Sequence, residues 1–128
     1  MNMNLAGKLI LRYSWALLFF WFGYAQLTDA SAWVFFLPEW TGYFPIPGEM
    51  LIQLNGLLEI CGAILIAAGV FTRLVSAFLA VHLGIIALSV GGAIGARDAT
   101  LSAVGFALAL MDPDPWTLDE RQKQKKTS

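Results

Sequence analysis

The composition of this chain excludes an ordinary water-soluble domain. Its 128 residues are 58% hydrophobic and only 13% charged, whereas soluble domains carry about 25% charged residues. A chain of this length forms one domain, and so small a domain could not bury that much apolar surface away from water. A chain of this composition is suited to a lipid bilayer. The net charge of −1, with no basic stripe among the aromatic residues, argues against binding to nucleic acid.

Four apolar stretches predict an all-α fold, a transmembrane four-helix bundle that occupies residues 1–111. The predicted spans cover residues 5–27, 48–70, 74–93 and 97–111. About 20 apolar residues in a helix cross the hydrocarbon core of a bilayer. The fourth stretch is short, so it either begins below the membrane surface or recruits residues 91–96. Residues 112–128 follow an Asp-Pro-Asp-Pro stop and are predicted to form a charged cytoplasmic tail.

The segment between the first two spans, residues 29–47, is predicted to be an aromatic-rich loop. Its prolines, Pro38, Pro45 and Pro47, argue against a long helix. Trp and Tyr favour the boundary between bilayer and water, so the loop is expected to lie on the membrane surface or to cap the bundle. Because cationic residues mark the cytoplasmic side, both termini are predicted to be cytoplasmic and this loop extracytoplasmic. Four spans place all but Arg97 of the Lys and Arg residues on the side of the termini: Lys8, Arg12, Arg73, Arg121, Lys123, Lys125 and Lys126.

An alternative for the first span is a secretory signal. Basic residues, an apolar run and Ala30-Ser31-Ala32 resemble such a signal with its cleavage site. Cleavage would leave three spans. The apolar run is longer than the usual signal core of about 7–15 residues, which favours a retained span.

Polar residues inside the spans are the candidate functional groups. A carboxylate near the bilayer centre is costly and usually functional or paired, and Glu59 lies midway along the second span with Asn55 one helical turn before it. Counting the helical rise places Arg12, Glu59 and His82 at similar depths in the cytoplasmic half. The sequence therefore predicts an intramembrane polar pocket of Arg12, Asn55, Glu59 and His82. It would bind a ligand, relay protons, or form a buried ion pair that only sets helix register.

A second, outer polar group is predicted from Gln26 and Asp98, with Arg97 beside them. Asp98 also fits an N-terminal cap of the fourth helix. One cysteine, Cys61, and one histidine, His82, fall short of the three or four ligands of a usual metal site, so no metal is predicted.

The order of these pieces resembles the DoxX family of small four-helix membrane proteins. The resemblance begins at Arg12 and covers most of the chain, and a Gly-x-x-Glu segment followed by Thr-Arg is its most specific part. The matching segments are Arg12-Tyr13, Phe22 to Leu27, Asn55 to Gly62, Gly69 to Arg73, Asp98, and Trp116 to Asp119. Gln26 is a departure, because family members often carry Lys there.

The resemblance implies a membrane subunit associated with redox systems, in a bacterial or archaeal cytoplasmic membrane. The family takes its name from the small subunit of thiosulfate:quinone oxidoreductase, and other members work with superoxide-handling or sulfur-transfer proteins. The sequence has no recognisable haem, iron–sulfur or flavin motif, so no self-contained catalytic site is predicted. A quinone is the candidate cofactor, and a protein of a redox complex is the candidate partner.

Three functions follow as alternatives. The first is an accessory or quinone-interacting subunit, since a quinone needs an apolar slot with a few hydrogen-bonding groups. Trp15, Phe19 or Trp21 would wall that slot. The second is a non-catalytic membrane anchor or assembly protein that docks a partner on the loop from Trp33 to Phe44. The third is a small proton-coupled transporter that uses Glu59. A homo-oligomer is a further expectation, because Gly91-x-x-x-Gly95 matches a helix dimerisation motif. Ala99, Ala103 and Ala107 recur every four residues and form a small-residue face for close helix contact.

Overall fold

The structure is a computed structural model that describes residues 2–127, and it confirms the all-α membrane bundle. Four of its helices are long and apolar enough to cross a membrane. They are α1 (Met3–Thr28), α2 (Gly48–Ala68), α3 (Thr72–Val90) and α4 (Gly92–Leu110), and a short helix, α5 (Leu118–Thr127), follows. Within the described range the chain forms no β-strand.

The connections between helices begin and end at residues suited to those positions. Asn2 caps α1 by accepting a 2.7 Å hydrogen bond from the Leu5 N–H. Gly69, with φ +74°, ends α2 in a Schellman motif, in which the Val70 N–H donates to the Leu65 carbonyl. The aromatic segment between α1 and α2 folds into two 3₁₀ segments, Ala30–Phe36 and Glu39–Tyr43.

The bundle is built from two helical hairpins. α1 packs extensively on α2, and α3 on α4, whereas α2 and α3 touch far less. Gly23 and Gly56 let the first pair approach closely: a Cβ on Gly23 would lie 2.6 Å from the Gly56 carbonyl oxygen. In the second pair the Ser102 hydroxyl donates a 2.6 Å hydrogen bond to the Ala80 carbonyl. The cavity described below occupies part of the looser seam between the hairpins.

The outer surface of the bundle is apolar, as lipid contact requires. Leu17, Trp21, Leu88 and Leu110 are each more than half exposed, which would be unfavourable in water and is normal in a bilayer. Cys61 is exposed on this surface. The protein is thus a multi-pass membrane protein.

The fourth helix begins at Gly92, ahead of the predicted start at residue 97. Of the two alternatives for this short span, the structure has the one in which the helix recruits the segment before residue 97. The interior face of α4 carries Gly95, Asp98, Ser102 and Gly105, and the alanine series Ala99, Ala103 and Ala107 lies exposed on the outer face.

The start of α1 and the segment after α4 lie at one end of the bundle, called here the terminus end, and the 3₁₀ segments lie at the opposite, loop end. The first part of the segment after α4 is folded onto the terminus end. Thr117 is fully buried and packs against Gly69, while Asp114 is buried beside α1. The charged residues 121–127 of the predicted tail form the exposed part of α5, and hydropathy alone gave no information on the docking of Asp114 and Thr117.

Asp119 links this folded-back segment to the start of α3. Its carboxylate accepts hydrogen bonds of 2.9 Å from the backbone N–H groups of Phe71 and Thr72. Phe71 has φ +50°, a left-handed conformation that is unfavourable for a bulky side chain. Partial burial raises the pKa of Asp119, but the two N–H donors and the nearby charge of Lys123 act together to bring it below the ordinary value. The cap stabilises a strained helix start.

Candidate functional site

A cavity of about 320 Å³ lies at the loop end, beneath the aromatic segment and between the two hairpins. This volume falls in the usual range of ligand pockets. Its walls are aromatic and aliphatic, and they come from α1, both 3₁₀ segments, α2, α3 and α4. Among them are Phe22, Trp33, Phe36, Trp40, Phe44, Ile52, Leu83, Ile86, Val90 and Ile94.

The floor of the cavity is a hydrogen-bonded polar group on α1 and α2. Gln26 Nε2 donates to Glu59 Oε2 over 2.9 Å. Asn55 Nδ2 donates to Gln26 Oε1 over 2.7 Å and to Glu59 Oε1 over 3.3 Å. Glu59 is only 3% exposed. Both carboxyl oxygens of Glu59 accept hydrogen bonds.

His82 brings α3 to the same floor. Its Nε2 lies 3.6 Å from Glu59 Oε1, too far for a hydrogen bond. The Nε2 atom is buried and has no hydrogen-bond partner. A buried unpaired polar atom is costly, and this one lies on the cavity wall beside a carboxylate. The pair therefore presents unused hydrogen-bonding capacity to whatever occupies the cavity.

Arg97 and Asp98 lie at the edge of the cavity on α4. Arg97 Nε is 3.2 Å from Asp98 Oδ1, and the Arg97 side chain is 57% exposed while Asp98 is buried. The predicted N-terminal cap role of Asp98 is wrong, because α4 begins at Gly92 and Asp98 lies inside the helix. The pair places one exposed positive charge next to an otherwise apolar wall.

Arg12 does not join the pocket, and this part of the prediction is wrong. Its guanidinium forms a two-point ion pair with Asp114, with Nε–Oδ2 at 2.7 Å and Nη2–Oδ1 at 3.1 Å. Its Nη1 donates to the carbonyls of Ile66 and Ala67, at 3.0 and 2.6 Å. The depth count ignored rotation about the helix axis, and it had no reason to choose Asp114, which was interpreted only as part of a helix stop.

The predicted inner and outer polar groups are therefore regrouped. Gln26 was expected in the outer group with Asp98, but its side chain bonds Asn55 and Glu59, and all of them line the one cavity at the loop end. The polar site lies toward the loop end, not in the half near the termini as predicted, because Gln26 sits in the last turn of α1.

The expected aromatic wall is also different. Trp15 and Phe19 are buried in the core of the bundle, with Phe19 fully buried, and Trp21 faces outward. The wall comes from Phe22 and the 3₁₀ segments. The loop was predicted to lie on the membrane surface or to cap the bundle, and residues of both its 3₁₀ segments line the cavity at that end. Within residues 2–127, no three His, Cys, Asp or Glu side chains are grouped to hold a metal ion.

The fold and the cavity define a class: a small multi-pass membrane bundle with a ligand-sized, polar-floored pocket between its hairpins. Comparison with protein families identifies the group. The DoxX family model matches residues 7–92, about two thirds of the chain, and the chain belongs to this family. No curated protein and no solved structure gave a match.

Proposed function

We propose that this protein is an accessory, quinone-interacting subunit of a membrane-associated oxidoreductase system. The observation that supports this most directly is the cavity: flat aromatic and aliphatic walls enclose a small polar floor of Gln26, Asn55, Glu59 and His82. A quinone head is complementary to this cavity, because its apolar ring suits the apolar walls and its two oxygens can hydrogen-bond to polar side chains.

The surroundings of the cavity also suit a ligand that dissolves in lipid. Ile85 lines the cavity and is about half exposed on the outer surface of α3. The cavity wall therefore reaches the lipid-facing surface of α3 at this residue. A ring could enter from the bilayer there, and its long apolar tail would remain among acyl chains without desolvating any polar group.

Electron exchange with a bound quinone requires a second redox group. Since the sequence offers no recognisable haem, iron–sulfur or flavin motif, we assign that group to a partner protein. The cationic residues near the termini favour an orientation with that end of the bundle on the cytoplasmic side, which would put the cavity on the opposite side.

The test is a cavity-filling variant. Ile86→Trp places an indole in the space that the ring would occupy, while Ile64→Trp puts the same side chain on the lipid-facing side of α2, where Ile64 is exposed. We expect decylubiquinone, added to the protein in nanodiscs, to bind wild type and Ile64→Trp, and to lose at least about tenfold in affinity on Ile86→Trp. Equal binding to all three proteins, or to none, would contradict the proposal.

A membrane anchor or assembly protein is the second candidate, favoured by the exposed aromatic side chains of the 3₁₀ region. Phe35 and Tyr43 are 76% and 90% exposed, and aromatic residues of this kind are enriched at protein interfaces. Gentle detergent purification distinguishes the two. Assembly would be favoured over quinone binding if a stoichiometric partner co-purified with wild type and with Ile86→Trp but not with Tyr43→Ser or Phe35→Ser.

A further inference from the structure

The floor of the cavity has an uneven set of free hydrogen-bonding groups. Both N–H groups of the Asn55 amide are engaged, one by Gln26 Oε1 and one by Glu59 Oε1. The Gln26 amide uses its oxygen toward Asn55 and one N–H toward Glu59. The two oxygens of Glu59 accept one amide hydrogen bond each, although a carboxylate has about four acceptor positions. What remains for a ligand is one N–H of Gln26, the Asn55 Oδ1 and the spare acceptor positions of Glu59, so acceptors outnumber donors.

His82 adds a partner of complementary character. Its Nε2 atom is buried, unpaired and 3.6 Å from Glu59 Oε1. A single oxygen placed beside both atoms would contact a carboxylate oxygen on one side and an imidazole nitrogen on the other. Only an oxygen that carries a hydrogen satisfies both, because the carboxylate can accept but cannot donate.

We propose that the floor formed by Glu59 and His82 selects the hydroxyl-bearing, reduced form of an aromatic lipid-soluble head, a hydroquinone, over its carbonyl-bearing oxidised form. The inference deepens the proposed function and rests on it. The hydroxyl donates to Glu59 Oε1 and accepts from the His82 Nε2–H. The step is binding alone, in which no covalent bond changes and no electron moves.

The oxidised form lacks the hydrogen that this floor requires. A carbonyl oxygen could accept from the His82 N–H, but it would bring its lone pairs against the Glu59 carboxylate. That repulsion acts in an apolar cavity, where water does not screen it well. A site that hydrogen-bonds a hydroxyl rejects an analogue without it because a buried polar group is then left unpaired. The reduced form is thus the better ligand on chemical grounds, whatever tail it carries.

The test compares ligands that differ mainly in this hydrogen. Wild-type protein in nanodiscs is equilibrated anaerobically with decylubiquinol, decylubiquinone or the dimethyl ether of decylubiquinol, and bound ligand is quantified by chromatography. We expect decylubiquinol to bind at least about tenfold more tightly than either of the others, the ratio expected for one hydrogen bond to a charged acceptor. This comparison needs no variant, so a folding defect cannot obscure it.

Matched variants then assign the preference to the floor. Glu59→Gln replaces an acceptor by an amide that can also donate to a carbonyl, so the quinol-to-quinone ratio should fall toward one. Glu49→Gln is the control on the same helix, because Glu49 is exposed and does not line the cavity. It should leave the ratio unchanged.

The outcomes separate this inference from the proposed function. Equal or tighter binding of decylubiquinone to wild type, or a full quinol preference in Glu59→Gln, would overturn the inference and leave quinone binding intact. A dimethyl ether that binds as well as the quinol would also overturn it. Failure of all three ligands to bind would remove both proposals together.

Discussion

The buried ion pair between Arg12 and Asp114 gives the sharpest prediction about stability. Each side chain is only 2% exposed, and the guanidinium also donates to the carbonyl groups of Ile66 and Ala67 at the end of α2. Asp114→Ala removes the carboxylate of this contact and leaves a buried cation that faces two carbonyl dipoles and the Tyr13 ring, whose centroid lies 4.4 Å from Arg12 Cζ. Breaking a buried pair from one side costs about 3–5 kcal/mol, so we expect a loss of that size in the free energy of unfolding.

Asp112 provides a matched control two positions earlier. Its carboxylate pairs with Arg73 at 2.8 Å, close to the Arg12–Asp114 distance, but the two side chains are 55% and 89% exposed. Exposed pairs contribute about 0–1 kcal/mol. Asp112→Ala should therefore lose little, although it deletes the same chemical group from the same segment.

The assay is reversible unfolding in mixed detergent micelles, followed by circular dichroism as the fraction of denaturing detergent rises. The double variant Arg12→Leu with Asp114→Leu should recover much of the loss, because it removes both charges together. Recovery will be incomplete, since Asp114 Oδ1 also accepts a 3.0 Å hydrogen bond from the Trp116 N–H. Equal, small losses for Asp114→Ala and Asp112→Ala would refute the argument that burial makes this pair important.

Three further predictions concern packing, pH and orientation. Gly23→Ala should destabilise the bundle by about 1–3 kcal/mol, because the new Cβ would lie 2.6 Å from a backbone oxygen of α2; Gly7→Ala, with nothing within 4 Å of the new Cβ, should be neutral or slightly stabilising in the same assay. The folded-state pKa of Asp119 lies below its ordinary value of 3.8, so its stabilising effect is complete above that value and is lost as the pH falls through the folded pKa. Wild type should therefore lose more stability than Asp119→Asn over that acidic range, and parallel pH curves would contradict the cap. In a background without the native cysteine, a membrane-impermeant maleimide added outside intact cells should label Tyr43→Cys and not Thr127→Cys; the reverse pattern would invert the proposed orientation.

The sequence correctly predicted one neighbour of Glu59 on the same helix and one on another helix. Asn55 and Glu59 share a face of α2 because one helical turn separates them, and the structure keeps them in one hydrogen-bonded group. His82 was expected near Glu59 from depth alone, and its Nε2 does lie beside that carboxylate. Depth follows from the rise per residue, a local property, so it can be counted without knowing the neighbouring helices.

The sequence by itself determined that the chain forms four apolar helices in lipid and that it is a DoxX-type bundle, because hydropathy, turn residues and motif spacing are written along the chain. Only the tertiary structure decided that Arg12 binds Asp114, that Gln26 completes the floor around Glu59, and that a cavity lies beneath the aromatic segment. The physical reason is rotational: the rotation of each helix about its axis selects which polar groups meet, and that rotation is set by packing among all the helices together.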